Sequence, residues 1–234
     1  MNSIEKVSHI ACILDGNRRW AVRNGLEPTA GHEAGKRVIP TVVSGCTDRG
    51  VSWLTLFSFS TENWERDRSE VDSLMRVHRD IIHCYGPHWK DFGIRVRYLG
   101  RQDERIPSGL LDDIDRIEEE TGNNSKMNLT FAFDHGGRRE IARALKGMLQ
   151  DQVSPDEVTE SKISSYMKYP EIPEIDLLIR TGGERRISNF MIWQIVYAEL
   201  YFLDIEWPEF SVVHLEEAIT EYMRRNRTRG VGSR

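Results

Sequence analysis

Apolar residues cluster along this chain in six short runs: Ser8 to Leu14, Val51 to Phe59, Ile94 to Leu99, Met127 to Phe133, Ile175 to Arg180 and Leu200 to Ile205. Runs of this length, rich in Val, Ile, Leu and Phe and seldom broken by polar residues, predict strands buried on both faces. Between them the spacing changes to a helical period over Ala34 to Arg49, Ser69 to Trp89, Ser108 to Thr121, Arg138 to Leu149, Pro155 to Met167 and Val212 to Arg227. Pro40 is expected to kink the first of these helices, and Gly86-Pro87 to break the second. This alternation predicts the α/β class, with a central, mainly parallel six-stranded sheet flanked by helices. No internal repeat or low-complexity linker interrupts it, so residues 1–234 are expected to form a single domain.

Composition narrows the ligand classes. With 39% apolar residues among 234, the chain can bury a sizeable core. A net charge of −5 lacks the basic footprint of a nucleic-acid binder, so an anionic ligand must be met by local clusters. Cys12, Cys46 and Cys84 are odd in number and widely spaced, which suits a reducing, cytoplasmic setting and gives no zinc or redox pair. The apolar run in MNSIEKVSHIACIL is too short for a signal peptide or a membrane span, so no stable membrane insertion is expected. The tail from Arg224 holds five arginines in eleven residues and reads as a solvated terminus, with dimer or phosphate contacts as the alternative.

In an open parallel sheet, ligands gather beyond the carboxyl ends of the strands, and four polar clusters fall there. Asp15-Gly16-Asn17-Arg18-Arg19-Trp20 follows the first strand. Paired guanidinium forks suit phosphate, and Asp15 would repel that phosphate unless a cation such as Mg²⁺ lay between them. The plainer alternative is an Asp-Gly turn beside surface arginines. Ser60-Thr61-Glu62-Asn63-Trp64-Glu65-Arg66 follows the second strand and reads either as a polar-head clamp or as a capped helix start. Asp134-His135-Gly136-Gly137-Arg138 follows the fourth as a tight anion loop or a plain turn. After the fifth, Arg180-Thr181-Gly182-Gly183-Glu184-Arg185-Arg186-Ile187-Ser188-Asn189 packs three arginines within nine residues. Their mutual repulsion points to a bound phosphate, with a salt-bridged surface as the alternative.

These residues resemble the successive signature regions of cis-prenyltransferases: DGNRRWA, GHEAG, FSFSTENWERDRSEVDSLM and IDLLIRTGGERRISNFMIWQIVYAELYF, in that order, with likeness from about His9 to Arg227. The resemblance implies a homodimeric α/β enzyme with an apolar tunnel, acting on isoprenoid diphosphates. It implies that Asp15 holds Mg²⁺, aided by Glu199 from across the dimer interface. Gly16, Asn17, Arg18, Arg19, Trp20 and His32 would surround the allylic diphosphate. Ser60, Thr61, Glu62, Asn63, Trp64 and Arg66 would form a mobile cover. Arg180, Arg186, Ile187 and Ser188 would grip the second diphosphate. Asn63 is the family's candidate for the proton step; an amide is a poor base, so orienting a water or the diphosphate suits it better.

Four positions depart from that pattern. Pro28 stands where the family carries a diphosphate-binding arginine, Asp134-His135 replaces a neutral polar residue followed by tyrosine, and Thr228 takes the place of an arginine near the tail. The helix SLMRVHRDIIHCYGPHW carries Arg76, His78, Arg79, Asp80 and His83, which leaves little room for a continuous apolar face. A short-chain Z-prenyl diphosphate is therefore the expected product, made from an allylic diphosphate and isopentenyl diphosphate. The alternatives are irregular, lavandulyl-type coupling with dimethylallyl diphosphate as acceptor, and a non-catalytic lipid-binding accessory subunit.

Overall fold

The computed structural model describes residues 7–100 and 104–225. In chain order the elements are β1 (His9–Ile13), α1 (Asn17–Arg23), α2 (Pro28–Lys36), α3 (Ile39–Asp48), β2 (Trp53–Ser60), α4 (Arg68–Asp91), β3 (Ile94–Leu99), α5 (Ser108–Thr121), β4 (Met127–His135), α6 (Gly137–Gln150), α7 (Glu160–Ser165), β5 (Leu177–Arg180), β6 (Glu199–Phe202) and α8 (Val212–Arg224). The six strands form one sheet in the order β3-β4-β2-β1-β5-β6, and every pairing is parallel. All five residues of β1 are buried, as a strand covered on both faces requires. Ile10 and Cys12 join the larger core with α3, α4, α5 and α8, while Ala11 and Ile13 face the smaller one. Phe190, Met191 and Ile195, from the helix-free segment between β5 and β6, complete that second core.

The order places β1 between β2 and β5, so the chain leaves β1 toward one side of the sheet and later returns to the other. That reversal opens a crevice at the carboxyl ends of β1 and β5, where α/β sheets take ligands.

Three helix expectations need correction. The segment from Ala34 to Arg49 is not one kinked helix: α2 begins at Pro28 and ends at Lys36, and α3 starts at Ile39 with Pro40 in its first turn, where a missing N–H costs nothing. The short α1 was not expected at all. Gly86-Pro87 does not break α4, which runs on to Asp91. Trp89, 1% exposed, anchors the last turn in the core. Burying a large side chain contributes about 1.5–3 kcal/mol, which offsets the roughly 3 kcal/mol a proline costs inside a helix. Over Pro155 to Met167 the chain forms a single turn and then α7, capped by the Thr159 hydroxyl on the Lys162 amide. The expected end of the last helix, Arg227, and Thr228 lie outside the described residues.

Candidate active site

The loops after β1, β2 and β5 meet over one cavity of about 840 Å³. The Asp15 carbonyl is held from two sides, accepting the Thr181 hydroxyl at 2.7 Å and the Trp207 amide at 3.0 Å. Its carboxylate accepts Arg180 Nη2 on Oδ2 at 2.9 Å and, more loosely, Arg19 Nη2 on Oδ1 at 3.4 Å. Arg19 also donates to the Gly182 carbonyl at 2.6 Å. Gly182 has φ 86°, a left-handed conformation that favours glycine, and a Cβ there would lie 3.1 Å from the Asp15 carbonyl carbon, so glycine lets the β5 loop close on the β1 loop. The first and last of the four clusters are thus one constellation.

Arg180 is 4% exposed and is aimed by its own loop, donating through Nη1 to Ser188 Oγ at 2.9 Å and to the Arg186 carbonyl. Ser188 and Asn189 hold positive φ (49° and 61°), and such backbone strain in non-glycine residues concentrates at functional sites. The other arginines sit beside acids without being consumed by them. Arg18 pairs with Glu70, Arg19 with Asp15 and Glu184, and Arg186 with Glu184; their side chains are 61%, 49% and 62% exposed. Exposed pairs contribute at most about 1 kcal/mol, so a diphosphate can outcompete them.

Among the described residues no group of three or more His, Cys, Asp or Glu side chains could cage a metal. A partly exposed carboxylate flanked by arginines fits Mg²⁺, which takes few protein ligands and can fill its shell with phosphate oxygens and water.

The segment after β2 is a 3₁₀ turn, Thr61–Glu65. Asn63 Oδ1 accepts the Ser60 amide at 2.9 Å, so its carbonyl is committed to capping and its NH₂ is what remains to act. Glu62 accepts Asn189 Nδ2 at 3.0 Å, and Asn189 Oδ1 accepts the Arg138 amide at 3.0 Å, tying the loops after β2, β4 and β5 together. Asn17 stands at the cavity wall and donates to the Leu14 carbonyl at 3.0 Å.

Five expected site residues do not line the cavity. Trp20 lies outside it, since Ala21 is the α1 side chain that packs inward. Thr61 hydrogen-bonds Glu62, and Ile187 joins the second core. Trp64 donates its indole N–H to Asp134 Oδ1 at 2.7 Å and stands edge-on to Phe59, so it fastens the turn to the sheet. Glu199 is at the opposite end of the sheet from Asp15, starting β6 and paired with Arg225 at 2.8 Å, and this chain does not bring the two together. Asp134 and His135 do not line the cavity. Both are buried, and His135, pushed down to about 4 by burial, stays neutral while its Nε2 accepts the Met191 amide.

The carboxylate that sequence reasoning missed is Glu70. It is 5% exposed in the first turn of α4, and it meets Arg66 at 2.7 Å, His32 at 3.4 Å and Arg18 at 3.5 Å. Burial works to raise its pKa, but the Arg66 charge and its hydrogen bonds outweigh this and hold it below the usual range. His32 moves down chiefly through burial, against the pull of Glu70. The four-residue spacing from Arg66 was the one available signal, since one helical turn juxtaposes such a pair.

The charged residues of α4 were misjudged as well. Helical periodicity turns Arg76, Arg79 and His83 to solvent, with the last two held by Asp113, and leaves Leu74, Val77 and Ile81 on the cavity wall. An apolar face is therefore present, with His78 as its polar member.

Known proteins resemble this chain in sequence and fold. The sequence matches the Prenyltransf family model, described for undecaprenyl diphosphate synthase, over residues 13–230. It is 41% identical to a (2Z,6E)-farnesyl diphosphate-specific trans,polycis-polyprenyl diphosphate synthase of Thermobifida fusca, over 95% of this chain and 80% of that one. It is 36% identical to the decaprenyl diphosphate synthase of Mycobacterium leprae, over 98% and 79%. The lavandulyl diphosphate synthase of Lavandula x intermedia, solved with dimethylallyl diphosphate, superposes with a TM-score of 0.89 at 30% identity, covering 96% of this chain and 98% of that one. The chain belongs to the undecaprenyl diphosphate synthase family of cis-prenyltransferases, and it is a transferase of prenyl diphosphates.

Proposed function

We propose that the protein condenses an allylic diphosphate with isopentenyl diphosphate to a short-chain Z-prenyl diphosphate, with Mg²⁺ held by Asp15. The observation that carries this reading is the 2.9 Å contact between Asp15 and Arg180 at the polar end of a cavity whose walls include Leu74, Val77, Ile81 and Phe59. Gly16, Asn17, Arg18, Arg19 and His32 take the allylic diphosphate, and Arg180, Arg186 and Ser188 take the second. Asp15 would hold Mg²⁺, which when bound would neutralise charge on the departing diphosphate. As the allylic C–O bond breaks, its electron pair stays on that diphosphate, and the arginines stabilise the charge that develops there. The double bond of isopentenyl diphosphate forms the new C–C bond at the allylic carbon, and a proton leaves from the adjacent carbon. Asn63 orients a water or a diphosphate oxygen through its NH₂ for that last transfer. Ser60, Glu62 and Arg66 cover the reacting centre.

The protein works as a homodimer in this reading, with Glu199 serving the metal of a second copy. The unpaired edge of β6 and the exposed Val196, Tyr197, Leu200 and Val213 support that assembly. The three widely spaced, unpaired cysteines suit a cytoplasmic setting. Among the described residues no helix is long and apolar enough to cross a membrane.

A second reading, irregular coupling with dimethylallyl diphosphate as acceptor, is favoured by Pro28 in place of an arginine and by the likeness to the lavandulyl enzyme. The two separate on incubating pure protein and Mg²⁺ with dimethylallyl diphosphate alone and together with isopentenyl diphosphate. Mass spectrometry is expected to find condensation product only in the paired sample. Product from the single substrate would establish irregular coupling, and no product from either would remove the condensing activity.

A further inference from the structure

Every arginine and lysine on the cavity wall stands beside a carboxylate except Arg138. Arg18 and Arg66 pair with Glu70, Arg19 and Arg180 with Asp15, Arg186 with Glu184, and Lys36 with Glu33 and Asp80. Among the described residues Arg138 has no such partner, although it is exposed and lines the same cavity.

Its position makes an unpaired cation costly. Arg138 is the second residue of α6, where the first N–H groups of the helix leave a positive partial charge that favours acids and disfavours arginine. Arg139 adds a second like charge beside it. The acid of the same turn, Glu140, is buried, and burial pushes its pKa up to about 7; the cations that pull on it are Arg143 and Lys168. It is therefore a weak counter-charge for Arg138.

The main chain fixes which loop Arg138 faces. The Gly137 N–H donates to the Asn189 carbonyl at 2.7 Å, and the Arg138 N–H donates to Asn189 Oδ1 at 3.0 Å. Gly137 permits this approach, since a Cβ there would lie 2.9 Å from the Ile192 amide nitrogen. Asn189 thus takes the amides that could have made an anion loop after β4, and the Arg138 guanidinium is the group left to meet an anion. Its root is pinned to the residue that follows Ser188, in the loop that also carries Arg186.

We infer that Arg138 is a further substrate-binding arginine, which takes an oxygen of the second diphosphate alongside Arg186 and Ser188. This rests on the prenyl diphosphate synthase reading and adds a residue to it. The other arginines must share their forks with acids, whereas Arg138 offers its whole guanidinium, and a bound diphosphate would offset the positive charge gathered at the start of α6.

The test compares the wild type with Arg138→Gln, and uses Arg139→Gln as a control of equal charge, since Arg139 is exposed in the same turn and does not line the cavity. Calorimetry follows isopentenyl diphosphate binding with Mg²⁺ and a saturating, unreactive allylic thiolodiphosphate present, so that only the second site is read. Loss of one charge-assisted contact should weaken that binding roughly 10–100-fold in Arg138→Gln. The KM for isopentenyl diphosphate should rise with it, the KM for the allylic substrate should change less, and Arg138→Lys should recover part of the loss. A loss no larger than that of the Arg139→Gln control, or a larger rise in the allylic KM than in that for isopentenyl diphosphate, would overturn the inference. A wild type that binds isopentenyl diphosphate but yields no condensation product would count against the synthase reading alone, and the calorimetric comparison would still decide the role of Arg138. No binding to the wild type would overturn both.

Discussion

Replacing Asp15 by asparagine is expected to lower turnover by roughly 10²–10³-fold while leaving the fold intact. Asparagine keeps an oxygen for Arg180, so the buried guanidinium retains an acceptor at the position where Asp15 Oδ2 stands 2.9 Å away. The Thr181 and Trp207 contacts fall on the main-chain carbonyl and are unaffected. What disappears is the negative charge on which the proposed Mg²⁺ site depends. The substitution also removes a repulsion. In the presence of a chelator, inorganic diphosphate should bind the variant more tightly than the wild type; with Mg²⁺ the order should reverse. Steady-state kinetics and calorimetry with and without the metal check both halves, and unchanged turnover would take Asp15 out of the mechanism.

Trp207→Ala should destabilise the protein by about 3–5 kcal/mol, the range for removing a large buried aromatic side chain. The ring is 1% exposed, stacks on Phe210 with centroids 5.2 Å apart, and donates its N–H to the Gly35 carbonyl at 2.9 Å. Gly35 lies so close to it that an added Cβ would be 2.7 Å from the indole. The loss would reach the site, because Trp207 also lines the cavity and its amide holds the Asp15 carbonyl. Urea unfolding followed by tryptophan fluorescence and circular dichroism measures the change. A loss below about 1 kcal/mol would mean that the α1–α2 corner is held by something else.

All six strands fall within a few residues of their predicted places, because a sheet covered on both faces writes near-continuous apolar runs, although β6 at the sheet edge is only partly buried. The two arginine-rich loops were legible as charge clusters at the ends of β1 and β5, and the structure brings them together. The corner formed by α1 and α2 was hidden. Its helices are short, and α2 carries Gly31 and Gly35, which lower helix propensity. Those glycines are there because α1 lies against α2, where a Cβ at Gly31 would fall 1.9 Å from the Asn17 carbonyl oxygen. Glu70 was missed because burying a carboxylate between two arginines and a histidine is a property of the packed structure, with only its spacing from Arg66 visible beforehand. Trp20 and Trp64 were over-read in the opposite sense. A side chain inside a recognised motif need not face the ligand, and Trp64 serves the site by holding its turn to Asp134.

The most direct measurement is a crystal structure with Mg²⁺, an unreactive allylic thiolodiphosphate and isopentenyl diphosphate. Two diphosphates are predicted in the single cavity, one against Arg18 and Arg19 and the other against Arg180, Arg186 and Ser188, with the ion on Asp15 and both tails on the α4 side. A cavity without diphosphate, or an ion bound away from Asp15, would contradict the proposed chemistry.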